Sequence, residues 1–123
     1  MAEVKRKYYN NGNIRTEVII NNNKKNGLYK HYYKNGQLCE ICLYVDDKKN
    51  GRYILYYENG EIDEIFSYIN NKINGEYKSY HKNGQLFTIC TYVDGKLHGE
   101  YKEYDVNGNL ILTCMYENGE QIN

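Results

Sequence analysis

Apolar and polar residues alternate along this chain, and the pattern recurs every 24 residues. In the stretch that starts at Leu38, the apolar slots are Leu38, Cys42 and Tyr44. Each slot also holds an apolar residue in the preceding repeat and in the three repeats that follow. A spacing of two is typical of a β-strand with one buried face. We therefore expect all three slots to point to one core-facing side of a strand.

Two turn signals separate the strands of each repeat. The first is an Asn-Gly pair, at residues 11–12, 35–36, 59–60, 83–84 and 107–108. The second is a pair of Asn, Asp or Gly residues, at 22–23, 46–47, 70–71, 94–95 and 118–119. These residues tolerate the left-handed backbone that a two-residue type I′ turn requires at both central positions. We expect such turns, and the intervals between them predict an all-β antiparallel meander of about nine or ten strands.

The repeats fill residues 1–123 as a single domain, because a fixed period of this size indicates an array in which neighbouring units cover each other's apolar faces. Composition shows no linker or second domain. We place the repeat boundaries at a partial unit 5–25 and full units 26–49, 50–73, 74–97 and 98–121.

The other strand of each repeat contains a tyrosine at the position of Tyr29 and an invariant tyrosine at the position of Tyr32. In a flat strand these side chains would point to opposite faces. A bulge near Gly27 would bring them closer to one face. Alternatively, Gly27 lies beneath a neighbouring ring. The sequence leaves both arrangements open.

The segment from Gly27 to Leu38, with the pattern G-x-Y-x-x-Y-x-x-N-G-x-L, resembles the MORN repeat, and most closely the variant MORN repeats of bacteria and some large DNA viruses. The resemblance extends over nearly the whole chain. It implies a single-layer, twisted antiparallel sheet. It also implies an interaction scaffold, since members are mostly scaffolds, some linked to membranes and one bacterial group to toxin neutralisation. Asp105 and Val106 depart from the pattern near one end, as a capping unit would.

Charge and hydropathy narrow the function classes. The formal net charge is zero, which argues against a nucleic-acid partner, because such proteins carry a basic footprint. We see no secretory signal, and no stretch approaches the roughly 18 apolar residues of a membrane span. We therefore expect a soluble, intracellular protein. The chain has 16 Tyr but two Phe and no Trp, so tyrosine must supply much of the buried area.

Residues with potential chemistry do not assemble into a site within the repeat frame. Cys42 shares its slot with Phe66 and Val18, so the Cys39-x-x-Cys42 motif reads as packing rather than as a metal or redox site. The three histidines occupy three different repeat positions. Glu40 and Glu64 share one slot, which we interpret as a polar gap in the sheet rather than an acid–base pair. We expect no enzyme activity, no cofactor and no metal.

Two rows of side chains are candidates for binding a protein partner, including a second copy of the chain. The first row follows the invariant tyrosines and ends at Asp105; it consists of Tyr9, Tyr33, Tyr57 and His81. If Tyr32 points inward, this row forms an outward aromatic ridge, although simple cross-strand stacking explains it equally well. The second row consists of Ile41, Ile65 and Ile89. Together the two rows would form one exposed patch.

A lysine rim offers an alternative. Lys24, Lys48, Lys72 and Lys96 recur beside the second turn, and such a row could attract anionic lipid or phosphate. Solvated turn lysines that prevent edge-to-edge association are the simpler interpretation. A third hypothesis, an antitoxin-like partner of a toxin, rests on the family resemblance alone.

Overall fold

A computed structural model describes residues 1–123. The chain is all-β, and its strands form one open antiparallel sheet. It contains no helix that is long and apolar enough to cross a membrane. The strands are β1 (Ala2–Tyr8), β2 (Ile14–Asn21), β3 (Lys24–Tyr32), β4 (Leu38–Val45), β5 (Lys48–Tyr56), β6 (Ile62–Ile69), β7 (Lys72–Ile73), β8 (Gly75–Tyr80), β9 (Leu86–Val93), β10 (Lys96–Leu97), β11 (Gly99–Tyr104), β12 (Leu110–Glu117) and β13 (Glu120–Gln121).

The sheet is a meander in which sequence neighbours pair, in the order β1-β2-β3-β4-β5-β6-β8-β9-β11-β12-β13. The short strands β7 and β10 pair only with β6 and β9. Asn74 and His98 separate them from β8 and β11, and the backbone N–H groups of these two residues donate to Ser67 O and Thr91 O. In the two earlier repeats the corresponding strands, β3 and β5, run without a break. The predicted fold class is therefore confirmed, with short extra segments at the strand starts.

The two turn types differ, and one prediction was wrong. At the second turn both central residues have positive φ, as in Asp46 (49°) and Asp47 (67°), which is the predicted type I′ geometry. At the first turn only the glycine does, for example Gly36 (88°). Gly36 N–H donates to Tyr33 O, and Tyr33 N–H donates to Gln37 O. This is a three-residue loop with a left-handed glycine, and Asn35 Oδ1 fixes it by accepting a hydrogen bond from Gln37 N–H.

The core lies on one face of the sheet, which we call the inner face. Seven of the 123 residues are buried, because a single layer has nothing packed against its other side. The main cluster comprises Cys42, Tyr53 and Phe66, with the Tyr53 and Phe66 rings stacked 4.9 Å apart. The Lys49 ammonium lies 5.1–5.2 Å from the centres of the Tyr53 and Tyr68 rings. Tyrosines and lysine stems thus cover the core that a second layer would otherwise protect.

Bulges resolve the open question about Gly27. The pairing register shifts between Val18 and Ile20, opposite Gly27, so a bulge is present there. It does not bring the two tyrosines to one face, because Tyr29 packs against the core while alternation directs Tyr32 to the other side. The glycine is also covered, but by an aliphatic side chain rather than a ring: a Cβ on Gly27 would lie 3.0 Å from Ile19 Cδ1. Because of this close approach and its φ of 127°, a larger residue at Gly27 would be strained and would displace Ile19.

A second bulge corrects the expectation for Leu38. The register shifts between His31 and Tyr32, so that His31 lies opposite Glu40 while Tyr32 lies opposite Leu38. Cys39 is the extra residue. Leu38 is therefore out of line with Cys42 and paired with Tyr32. Only the Cys42 and Tyr44 slots share the core-facing side.

Candidate functional site

The predicted aromatic row joins consecutive repeats. The Tyr9, Tyr33 and Tyr57 hydroxyls donate to the backbone carbonyls of Tyr32, Tyr56 and Tyr80, at 2.5, 2.6 and 2.6 Å. His81 Nε2 makes the same contact with Tyr104 O at 2.8 Å. In each case the acceptor lies 23 residues further along the chain. We call these four contacts the repeat clasp.

Asp105 occupies the next position of the row but makes no clasp. Its carboxylate instead accepts hydrogen bonds from the backbone N–H groups of Asn107 and Asn109, both at 2.9 Å. The bond from Asn109 is the largest of the causes that lower the pKa of this carboxyl. Asp105 thus closes its own turn, and the clasp ends there.

The clasp hydroxyls act as hydrogen-bond donors. Burial raises the pKa of Tyr33 to about 12, with a smaller contribution from its hydrogen bond to Cys39. Burial also raises the pKa of Tyr57. These phenols therefore stay protonated at neutral pH and keep the proton that the carbonyl contact needs.

The isoleucine row lies on the opposite side from the core, which we call the outer face. Ile41 pairs with Ile54, and Ile54 pairs with Ile65. All three side chains are half-buried and lie on adjacent strands. We call them the isoleucine strip. In register across the whole sheet, this row reads Arg6, Glu17, Lys30, Ile41, Ile54, Ile65, Lys78, Ile89, Lys102 and Thr113.

The third predicted residue, Ile89, is separated from the strip. Its cross-strand neighbours are Lys78 and Lys102. Ile54 occupies the slot that holds lysine in the repeats of Lys30, Lys78 and Lys102. This single exception joins Ile41 to Ile65. The isoleucine at position 54 is visible in the sequence, but only the pairing of the strands shows that it completes a strip.

The invariant tyrosines also lie on the outer face. Alternation from Lys30 places Tyr32 on this side, and Tyr80 lines an outer hollow together with Ile65 and Lys78. The Tyr33 row would form an outward ridge only if Tyr32 pointed to the inner face, and Tyr32 points to the outer face instead. The hydroxyls of Tyr8, Tyr32, Tyr56, Tyr80 and Tyr104 make no hydrogen bond within the chain, unlike those of the clasp.

Charge pairing differs between the repeats on this face. Glu76 and Lys78 form an ion pair at 3.2 Å, and Glu100 and Lys102 form the equivalent pair at 3.1 Å. In the repeat of Lys30 the glutamate slot holds Leu28. In the next repeat that slot holds Arg52 and the lysine slot holds Ile54. The first two full repeats therefore carry apolar side chains and cations without an acidic partner.

Hollows appear on the outer face where the residue over a strand glycine is small. Leu43 covers Gly51, with its Cδ2 3.4 Å from the position of a Cβ. At Gly75 the equivalent residue is Ser67, and nothing lies within 4 Å of that position. A hollow of about 340 Å³ results there; its lining includes Arg52, Ile65 and Tyr80.

The lysine rim lies on the outer face as well. Lys48, Lys72 and Lys96 are each in register with an exposed apolar residue: Val45, Ile69 and Val93. Lys24 is in register with Asn21. All four lysines are exposed and lie beside their turns. Some of these turns carry acidic residues, Asp46, Asp47 and Asp94.

On the inner face, the polar residues pair with each other. His31 Nδ1 lies 3.6 Å from Glu40 Oε1. Tyr77 donates a hydrogen bond to Glu64. Burial raises the pKa of the Cys42 and Cys90 thiols to about 11, so they remain protonated. No group of three or more His, Cys, Asp or Glu is placed to hold a metal ion.

Comparison with known proteins supports the sequence resemblance. The sequence model of the family described as MORN repeat variant matches the chain four times, at residues 25–46, 49–70, 73–94 and 97–118. A search of curated proteins found no match. The four matched segments cover most of the 123 residues and follow the hairpins of the sheet. The chain therefore belongs to the MORN repeat variant family.

Proposed function

We propose that this protein is a non-enzymatic scaffold that binds a protein partner through the outer face of its first two full repeats. The observation that carries the proposal is the isoleucine strip. It joins three apolar side chains on adjacent strands of a face that no other part of the chain covers.

The surroundings of the strip support an interface. Leu28 is 42% exposed and Leu43 is 37% exposed, and they pair with each other on the same face. Tyr32 and Tyr56, whose hydroxyls form no hydrogen bond within the chain, lie at the ends of β3 and β5. Contiguous apolar patches with tyrosine on an otherwise polar protein mark interaction surfaces. The clasp tyrosines contribute indirectly, because they fix the repeats relative to one another.

A lysine substitution tests the proposal. In Ile54→Lys the strip is interrupted by the residue that other repeats already carry at this slot, so the fold should persist with a loss of about 1 kcal/mol or less. Ile89→Lys makes the same chemical change in the same row, outside the strip. Each variant would be immobilised and used to capture proteins from extracts of the source cells, with quantitative mass spectrometry and circular dichroism as the readouts.

We expect a partner to be retained by the wild type and by Ile89→Lys and lost by Ile54→Lys. Equal loss of the partner by both variants would show that the interface extends beyond the first two full repeats. Retention by both folded variants would exclude the strip as the docking surface.

A second candidate is binding to an anionic membrane surface through the lysine rim. It is favoured by one observation: three of the rim lysines lie in register with Val45, Ile69 and Val93, which are 42, 54 and 48% exposed. Cations beside exposed apolar groups suit the surface of an anionic bilayer. Sedimentation with vesicles of phosphatidylcholine, with and without phosphatidylserine, tests it. Binding should need the anionic lipid and disappear when all four rim lysines are changed to glutamine. Lack of binding at low salt would exclude it.

A further inference from the structure

We propose that the partner presents an acidic segment, in which apolar side chains lie on the isoleucine strip and a carboxylate next to an apolar side chain enters the hollow over Gly75 beside Arg52. This inference rests on the proposed function and specifies the chemistry of the partner. Three independent features of the outer face support it: its unpaired cations, its excess of basic groups and the shape of the hollow.

Two of the three cations nearest the strip, Lys30 and Arg52, have no acidic partner, whereas the third, Lys78, is in register with Ile65 and pairs with Glu76. Arg6 takes up Glu17, the carboxylate opposite Lys30, through a contact of 2.7 Å, and Lys30 itself forms no ion pair. Arg52 lies opposite Ser67 and forms neither an ion pair nor a side-chain hydrogen bond. The other basic residues in the row of Lys30, namely Arg6, Lys78 and Lys102, are each paired with a glutamate. Unpaired Lys30 and Arg52 therefore flank the strip.

The outer face as a whole is basic although the chain is neutral. In register across the sheet, it carries the four rim lysines in addition to Lys30 and Arg52. Of its acidic side chains, Glu17, Glu76 and Glu100 are engaged in ion pairs. Two more, Glu117 and Glu120, lie on the last two strands beside Lys96, away from the strip. A segment with carboxylates beside its apolar residues complements this distribution, whereas a basic segment would be repelled.

The hollow gives the segment a place to anchor. Its lining includes Gly75, the apolar side chains of Ile65 and Tyr80, and Arg52. Glu76 and Lys78 also line it, but they neutralise each other in an ion pair and leave Arg52 as the free charge. The volume of about 340 Å³ suits the end of a single large side chain. An apolar side chain of the partner would pack against Ile65 and Tyr80, and a neighbouring carboxylate would pair with the Arg52 guanidinium. Anchors of this kind supply most of the affinity at protein interfaces.

Selection from a phage-displayed library of random peptides on the immobilised full chain tests the partner chemistry. We expect enriched peptides that combine Asp or Glu with aromatic or large aliphatic residues. The peptide with the highest enrichment would then be synthesised, and its affinity measured by fluorescence anisotropy against a set of variants that fold as shown by circular dichroism.

Two matched pairs of variants locate the site. Arg52→Glu should weaken binding about tenfold or more, while Lys102→Glu in the last repeat leaves it within about twofold. Ser67→Leu fills the hollow as Leu43 does at Gly51 and should weaken binding by a similar factor. Thr91→Leu, at the equivalent slot of the next repeat, should not.

The outcomes separate this inference from the proposed function. Enriched peptides without carboxylates, or peptides unaffected by both Arg52→Glu and Ser67→Leu but lost with Ile54→Lys, would overturn the acidic segment and keep the interface. Peptides that bind all of these variants equally, or no enrichment at all, would overturn both. If phosphatidylserine vesicles bind instead and release on Arg52→Glu, the unpaired cations serve a lipid surface and the acidic segment is excluded.

Discussion

The first two full repeats and the last two share a backbone plan but differ on their outer face. In the last two, Lys78 and Lys102 each pair with a glutamate two residues earlier, and the glycines of the strands are left uncovered. In the first two, the same slots hold Leu28, Arg52 and Ile54, and Ile19 and Leu43 cover the glycines. The strand pairing and the positions of both turns are alike in all four, whereas the inner face differs where Phe66 occupies the slot of Cys42, Cys90 and Cys114. The repeat thus fixes the scaffold, and a few outer slots distinguish one half from the other.

This difference shows which slots can change without cost to the fold. Outer-slot side chains are half exposed and contact few others, so a change from lysine to isoleucine alters the surface and leaves the hydrogen-bond ladder intact. The following predictions test whether the two halves are equal in stability and differ only in surface chemistry.

The largest effect should be alkaline unfolding of both halves together. Burial raises the pKa of Tyr44, in the first half, to about 12, from an ordinary value of 10.0, and burial together with a bond to Glu64 raises that of Tyr77 in the second. In the unfolded chain these phenols lose their protons near pH 10, while in the folded chain they keep them. The stabilisation that these protonated phenols provide below pH 10 is therefore lost as the pH rises toward 12. Circular dichroism should show one transition; two separate transitions would contradict the equality of the halves.

Truncation of the core should have the next largest effect and should reveal a difference between the halves. Phe66 is 7% exposed and contacts Tyr53, Tyr68 and Tyr77. Phe66→Ala should cost about 3 kcal/mol, because it removes a ring and leaves a cavity. Cys90→Ala, at the same slot one repeat later, should cost about 1 kcal/mol. Urea denaturation measures both, and equal costs would show that the ring is not the centre of the core.

Removal of one clasp hydroxyl should cost about 1 kcal/mol. Tyr57→Phe leaves Tyr80 O without its donor at 2.6 Å, and a hydrogen bond of this kind is worth about 0.5–1.5 kcal/mol. The neighbouring Tyr56→Phe is the control, since that hydroxyl has no partner within the chain. Tyr57→Phe should therefore melt at a lower temperature than Tyr56→Phe. Identical melting temperatures would show that the clasp hydrogen bond does not stabilise the fold.

Filling the hollow should stabilise the protein slightly. Ser67→Leu places methyl groups over Gly75, as Leu43 does over Gly51, and should add about 0.5–1 kcal/mol. Thr91→Leu should give a similar gain at Gly99, where nothing lies within 4 Å of a Cβ position. Urea midpoints would measure both gains, and a loss of stability would indicate that the bulge cannot accept a branched side chain there.

The smallest effect should come from the outer ion pairs. Glu76→Gln breaks the contact with Lys78, whose side chain is 35% exposed, while that of Glu76 is 60% exposed. Such exposed pairs contribute about 0–0.5 kcal/mol. The change should vanish at high salt. A cost above about 1 kcal/mol that persists at high salt would mean that the pairs hold the second half together and are not merely surface features.

Most of the fold could be predicted from the sequence because the period sets the strand length, the turns and the meander. The type I′ geometry of Asp46-Asp47 followed from residue type alone. The first turn did not, because Asn-Gly fits two loop types, and the choice depends on the contact of Tyr33 with the rest of the loop. The position of Leu38 was missed for a related reason: one extra residue, Cys39, shifts the alternation, and periodicity does not report bulges.

The candidate site was only partly predictable. Ile41 and Ile65 stand out in the sequence, but Ile54 belongs to a different slot, and only cross-strand pairing connects it to them. The sequence left open the face on which Tyr32 lies, and plain alternation along the strand proved to decide it. Nothing in the sequence indicated that the Tyr33 hydroxyl reaches the next repeat, because that contact joins residues 23 positions apart.

The clasp has a consequence for how such chains change length over evolution. The partial unit and the first three full units each contribute one side-chain donor, the four full units each contribute one carbonyl acceptor, and the contact always joins a unit to the one that follows it. Duplication or deletion of a whole unit therefore leaves every remaining donor facing an acceptor, whatever its position in the gene. Recombination between similar units can lengthen or shorten the array without breaking a joint, and a substitution such as Asp105 in the donor position interrupts the clasp.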